Sequence, residues 1–335
     1  MLAFAIFCAI SIFNAGSLIN KALFAFFFKW MKYLGLFLFF EETFVTPKRV
    51  RNAMMIILFG SALLGIDGLF QKFSGVDFLR HKDLIPVLSS GTFGVCASFN
   101  HYNDFGAYLI VVLSLVIALS ILDKFMCLDF MILLFLETLL SLCLVFTFSR
   151  GAWLGLVFSM ILMMIISSKN MAKKIVFLIP VFIGIVVLVP ELRERIIFTF
   201  TPKGDANRIE VWKIAITIIK ENPFIGKGIG LFMDCFSKIT RLNAQYAHNC
   251  YLQIWVETGI FSLLSFLGFL GLLFWNGIKR FKNNKDPVLL GLICGLFGFA
   301  VHAFFDTQLY SIQTSMLFWS LAGIFSVLST KQIEV

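Results

Sequence analysis

The sequence predicts an all-α fold: a polytopic helical membrane protein of about ten transmembrane helices, with one large external loop carrying short helices. Three observations carry this reading. Apolar residues make up 59% of the 335 positions and charged residues only 14%, against about 45–50% and 25% in soluble domains. The apolar residues fall in runs close to the ~20 residues that a bilayer crossing requires. Basic residues collect in every second connection between those runs, the arrangement that sets membrane orientation. The 42 phenylalanines suit lipid-facing and interhelical surfaces and carry no further function.

In chain order, spans are predicted near residues 2–19, 22–40, 53–71, 103–122, 126–148, 151–167, 175–190, 258–276, 287–306 and 312–329. Lys48, Arg49 and Arg51 follow the second span, Lys124 the fourth, and Lys169, Lys173 and Lys174 the sixth. Lys279, Arg280, Lys282 and Lys285 follow the eighth, and Lys331 the tenth. These connections are therefore expected inside, with both termini. Residues 72–102, the tight Ser149-Arg150 turn, 191–253 and 307–311 are expected outside. The chain 1–335 thus reads as a single membrane domain, with 191–253 inserted as the large external loop between the seventh and eighth spans. Lys29 and Lys32 fall within the second span, where a charge is costly unless it snorkels or faces protein. The chain opens directly in an apolar run, read as a span and not a removed signal, and further spans in a longer parent fit the same pattern.

The net charge of +9 is accounted for by topology signals and lipid headgroup contacts, so no nucleic-acid partner is expected. The seven cysteines show no Cys-x-x-Cys spacing and hence no zinc or redox site. Cys8, Cys127, Cys143 and Cys294 sit in apolar runs as packing residues. Cys235 and Cys250 fall in the external loop, where a disulfide between them is one open alternative.

The external loop has its own local signals. Arg208 to Lys220 reads as a surface-lying helix with one apolar side. Asn222-Pro223 stops it, because the residue before proline is pushed out of the helical region. Gly226, Gly228 and Gly230 make a turn-rich stretch, which lacks the order of a nucleotide phosphate loop. Tyr246 to Glu257 returns to a helical pattern leading into the eighth span.

Several polar residues stand out against this apolar background. Arg150, between two apolar runs, either snorkels to lipid phosphates or grips a substrate phosphate in bidentate fashion. Arg208 leads the surface helix, whose N-terminus already favours anions; an exposed arginine beside Glu210 or Asp205 is the plainer alternative. His248 suits general base work near neutral pH, or is an exposed loop histidine. His302 and Asp306, four residues apart, are expected to share one helix face and to look into a polar cavity, chiefly as structural support. Asn100 and Asn103, in the run that closes the 72–102 loop, are expected to line the same external cavity along with Arg80. Glu137 lies mid-span in the fifth helix, either paired with Lys29 or Lys32 or protonated. No Asp-x-Asp or histidine cluster suggests a metal, and no cofactor is indicated.

These residues fall into a recognisable order. Gly91-Thr-Phe with Asn100 through Leu109, then Thr147-Phe-Ser-Arg-Gly-Ala-Trp-Leu-Gly-Leu156, come first. Arg208-x-x-x-Trp212, Asn222-Pro-Phe-Ile-Gly-Lys-Gly-Ile-Gly-Leu-Phe232, His248-Asn-x-Tyr-Leu-x-x-x-x-Glu-Thr-Gly259 and His302-x-x-x-Asp306 follow. Across residues 53–328 the chain resembles the O-antigen ligase and polymerase family of bacterial membrane proteins. It departs from the family's usual Asn-Pro-Asn at Asn100-His101-Tyr102-Asn103, and the family often has more spans.

The resemblance implies a GT-C-like, metal-independent, inverting glycosyltransferase in the bacterial inner membrane, multi-pass, with its active site facing the periplasm. Its donor would be an undecaprenyl-diphosphate-linked glycan. Its acceptor would be a lipid A core sugar in a ligase of lipopolysaccharide biosynthesis, or another glycan repeat unit in a polymerase. Arg150 and Arg208 would hold the diphosphate, and His248 would activate or position the acceptor hydroxyl. Arg80, Asn100, Asn103, Trp212, Asn249, His302 and Asp306 would line the substrate site. A lipid-linked glycan transporter is the alternative of another class, but transporters place polar sites near the midplane, often in repeated halves, and no repeat is found here.

Overall fold

The computed structural model describes residues 1–87, 91–122, 130–167, 184, 189–199, 201, 206–240 and 246–331. Nearly all of the secondary structure in these residues is helical. Leu2–Ile12 forms α1. A continuous helical stretch follows over Gly16–Thr43, made of a 3₁₀ turn (Gly16–Leu18), α2 (Ile19–Ala25), a π-helical segment (Phe26–Met31) and α3 (Lys32–Thr43). Then come α4 (Pro47–Ser74), α5 (Tyr102–Leu122), α6 (Phe130–Phe146), α7 (Arg150–Ile166), α8 (Pro190–Thr199), α9 (Ala206–Glu221) and α10 (Phe232–Ile239). The last are α11 (Cys250–Asn284), α12 (Pro287–His302) and α13 (Ile312–Thr330).

Among the described residues five stretches are long and apolar enough to cross a membrane: Gly16–Thr43, α4, α5, α11 and α13. Among the described residues α1, α6, α7 and α12 are shorter apolar helices. The expected first span ends early, at Ile12, and Gly16 at φ 55° turns the chain before the next helical stretch. The expected seventh span (175–190) lies outside the described residues except for Gly184, Val189 and Pro190, as do Lys124, Cys127, Lys169, Lys173, Lys174 and Asp205. Local chemistry sets the ends of α4: the Thr46 hydroxyl accepts from the Arg49 amide, Pro47 opens the helix, and Gly75 closes it at φ 73°, each residue type in its preferred place.

The chain forms two compact units. One contains residues 43–201, 276–302 and 324–335. Its centre is α12, in which every residue from Pro287 to Leu296 is buried. This helix packs on α5 and α7, while α6 packs on α4 and α5. Gly291 and Gly295 allow the backbone of α5 to approach at Leu115 and Val111, and Gly298 meets the Gly155 carbonyl of α7. Small residues permit such approach where the hydrophobic effect cannot drive helices together. Buried hydroxyls add to it, Ser114 with Ser159 at 2.7 Å and Ser61 with Tyr108 at 2.6 Å.

The other unit contains residues 1–42, 202–275 and 303–323. As expected, α9 is amphipathic and stops at Glu221, before Asn222-Pro223. Its buried Val211, Ala215, Ile218 and Ile219 cluster with Phe232 and Phe236 of α10 and with Ala247 and Val256. Helix α11 is broken at Gly259, where φ is 81° and ψ 173°. The break exposes carbonyls, and the glycine-rich run covers them. Lys227 and Gly228 donate their amides to the Val256 and Glu257 carbonyls, both at 2.9 Å, while the Ile260 amide bonds the Pro223 carbonyl at 3.0 Å. Residues 222–230 are thus a strap laid across the broken helix. Glycine is required at its closest points: a Cβ on Gly226 (φ 80°) would lie 2.5 Å from the Glu257 backbone, and one on Gly259 would collide with the Phe224 carbonyl.

Candidate active site

His248 sits in the short segment leading into α11, and its neighbours are fixed on both sides. Before it, the Ala247 amide donates to Gln253 Oε1 and the Ala247 carbonyl accepts from the Trp212 indole, both at 3.0 Å. After it, Asn249 caps α11, its Oδ1 accepting from the amides of Tyr251 (2.9 Å) and Leu252 (3.0 Å). His248 itself takes φ 48°, a left-handed conformation that costs a non-glycine residue free energy and persists only where the surroundings impose it.

The imidazole faces a carboxylate. His248 Nδ1 lies 3.2 Å from Asp306 Oδ1, with the histidine side chain 43% exposed and the aspartate 13%. Asp306 Oδ1 also accepts from the Thr307 amide at 2.8 Å. A carboxylate on Nδ1 fixes the ring and leaves Nε2 as the nitrogen that can take a proton. Asp306 does not share a helix face with His302, because α12 ends at His302 and residues 303–306 form a turn. The Cys250 amide bonds the Ala303 carbonyl at 2.9 Å, and the Cys250 thiol donates to the Asp306 carbonyl at 3.3 Å. Cys235 and Cys250 are both free thiols, so the disulfide alternative falls; burial raises the Cys235 thiol above its usual pKa.

Arg208 and Trp212 are one turn apart on α9, on one face. Because Trp212 holds the Ala247 carbonyl, the arginine lies one helical turn from the residue that anchors the histidine segment. Asn249 and Trp212, both expected at a substrate, therefore have defined structural work beside His248.

Within the same unit, a cavity of ≈ 230 Å³ is lined by Lys21, Lys29, Trp30, Tyr246, Gln253, Glu257 and Tyr310, among others. Glu257, 1% exposed, accepts from the Gly230 amide (3.0 Å), Gln253 Nε2 (3.3 Å) and the Tyr310 hydroxyl (3.3 Å). Gln253, Glu257 and Tyr310 do not stand out in the sequence as site residues. Glu257 did stand in the His248-to-Gly259 run, so an acid inside a matching motif was the available signal.

In the other unit, Arg150 opens α7 after the three-residue turn Thr147-Phe148-Ser149. Phe148 takes φ 54°, and the Trp153 indole braces the turn through the Leu144 carbonyl at 3.0 Å. Arg195, unremarked in the sequence, donates to the Phe148 carbonyl at 3.3 Å and to the Val87 carbonyl at 3.0 Å. His302 is buried beside Ser149, Nε2 to Oγ 3.4 Å. Arg80 bonds Asp77 (Nε to Oδ2, 2.7 Å), Cys96 Sγ (3.0 Å) and the Phe99 carbonyl, tying down its own loop. Asn100 is exposed just before α5, whereas Asn103 is buried in its first turn.

The apolar helices, the close glycine packing and the polar clusters at helix ends define a multi-pass helical membrane protein. Residues 132–267 match the family described as O-Antigen ligase. Over those residues the chain is similar to the O-antigen ligase and polymerase family, a family of glycosyltransferase-like enzymes acting on lipid-linked glycans and acceptors. No curated protein matches the chain.

Proposed function

We propose that this protein transfers a glycan from an undecaprenyl-diphosphate carrier to an acceptor hydroxyl at the external face of the bacterial inner membrane, in the manner of an O-antigen ligase with a lipid A core acceptor. The observation that carries the proposal is the His248–Asp306 pair, held just before the start of α11 in the unit that also contains Arg208. Asp306 on Nδ1 makes Nε2 the base. It takes the proton of the acceptor hydroxyl as that oxygen attacks the anomeric carbon, and the bond to the diphosphate breaks with its electron pair on the departing oxygen. Arg208, in the first turn of a helix whose amides favour anions, is the cation for that developing charge in the unit of His248; Arg150, which opens α7 in the other unit, is required for transfer on the strength of the motif order alone. The reading includes inversion and no requirement for a metal ion.

The test uses purified enzyme, lipid-linked donor and core acceptor. His248→Ala is expected to lower transfer by about 10²–10⁴-fold, and Arg208→Ala and Arg150→Ala by about 10²–10³-fold each, with the protein still inserted at normal levels. Wild-type transfer by any one variant shows that this residue is not required. In a deletion strain, loss of capped core with polymer retained supports the ligase, and loss of long chains with single units retained assigns the polymerase.

A further inference from the structure

Three features around the Glu257 cavity point to a ligand. The first is a lysine inside a span. Lys29 lies mid-way along Gly16–Thr43, and a charge at such a position normally faces a polar cavity or pathway. Here it lines the cavity. The second is the π-helical segment Phe26–Met31, which carries Lys29 and Trp30; π turns within α-helices are uncommon and recur at functional sites. The third is the lining itself, in which a buried carboxylate meets three aromatic side chains. Trp30 and Tyr310 have ring centroids 5.5 Å apart, and Tyr246 and Tyr310 6.2 Å.

The chemistry narrows the ligand class. Lys21 is already paired with Asp234 at 2.7 Å, so Lys29 and Glu257 leave the lining balanced in charge. A carboxylate in the wall disfavours a phosphate group. The cavity is smaller than the about 300–1,000 Å³ typical for drug-sized ligands, which fits one six-membered ring and not a chain. Aromatic faces suit the apolar C–H face of a pyranose, while a carboxylate accepts from vicinal hydroxyls and Gln253 and Lys29 can donate to ring oxygens. Burial and the Glu257 carboxylate hold the Tyr310 phenol well above its usual pKa, so it stays a donor that orients the acid.

We infer that this cavity is a subsite for a single pyranose ring of the glycan substrate, with Glu257 as its hydroxyl-binding carboxylate. The inference rests on the glycan-transfer reading and names where that glycan is gripped. Tyr246 lies two residues before His248 and Tyr310 four after Asp306, so the subsite and the His248–Asp306 pair are built from the same two segments.

The test has two arms on the full-length protein in nanodiscs. In the first, saturation-transfer NMR measures binding of methyl glucoside, methyl galactoside, N-acetylglucosamine and inorganic phosphate. At least one sugar is expected to bind saturably and phosphate not to; Glu257→Gln and Lys29→Gln are each expected to weaken the sugar at least tenfold. Lys29→Gln, on a separate exposed position, keeps the arm decisive if Glu257→Gln does not fold. In the second arm, steady-state transfer by the same variants is expected to show KM raised at least tenfold for one substrate, with kcat changed less than threefold. A rise in KM for the acceptor assigns the ring to the acceptor, and a rise for the donor assigns it to the donor. No saturable sugar binding by the wild type, or unchanged binding and KM in both variants, overturns the subsite. Saturable binding lost in the variants, but with no transfer by wild type, upholds the subsite and sinks the transferase reading instead.

Discussion

At the scale of single residues, the pairing that matters joins His248 to an aspartate 58 positions away in the chain. The sequence marked both residues but coupled Asp306 to His302, because four-residue spacing in an apolar run reads as one helix face. Where the helix ends there is a tertiary contact, the Ala303 carbonyl accepting from the Cys250 amide, followed by a local one, the Asp306 carboxylate accepting from the Thr307 amide. No proline or glycine stands there to announce it. Asp306→Asn is the sharpest probe of the pair. An amide at this place still fills the space but no longer fixes the imidazole tautomer, and transfer is expected to fall by about 10²–10⁴-fold. Substrate KM and thermal stability are expected to stay near wild type, and measuring all three separates an orienting role from a structural one.

Among the elements, the strap over 222–230 and the break in α11 are one device. Each half was visible by itself: the three glycines as a turn-rich stretch, and Glu257-Thr258-Gly259 as part of a run. That they belong together was hidden, since a lone glycine in an apolar helical pattern is tolerated and gives no sign of a break. Backbone accounting explains the pairing, because carbonyls released by a helix must find donors. Gly259→Ala and Gly226→Ala add a Cβ where the opposing backbone already sits, at positive φ. Each is expected to cost at least about 1–3 kcal/mol, seen as a lower Tm and a smaller monodisperse peak in fluorescence-detected size exclusion. An unchanged Tm for both would show that the strap does not hold the helix.

For the whole molecule, the sequence was most informative where the physics is bulk physics. A chain with so few charges has no other solvent than lipid, and the runs of apolar residues foretold most of the helices. The close contacts of α12 were less legible, because Gly291, Gly295 and Gly298 look like any small residues until their neighbours are known. Charge placement also carries a prediction about orientation. Alkaline phosphatase fused after Thr240 is expected to be active, and the same reporter fused after Lys282 inactive, since the cluster from Lys279 to Lys285 holds its connection inside. The reverse result would put the His248 segment on the cytoplasmic side and remove the lipid-linked donor from reach.

The broken helix also has a consequence for how the protein is made. The strap precedes α11 in the chain, so its amide donors leave the ribosome before the carbonyls they serve. When α11 emerges, the partner for its interruption already exists, and the opened turn need never wait unpaired in the translocation machinery. Had the order been reversed, the break would enter the bilayer with its carbonyls bare. Synthesis order and hydrogen bonding therefore run in the same direction for the Val256 and Glu257 carbonyls, and the Ile260 amide likewise finds its Pro223 acceptor already made.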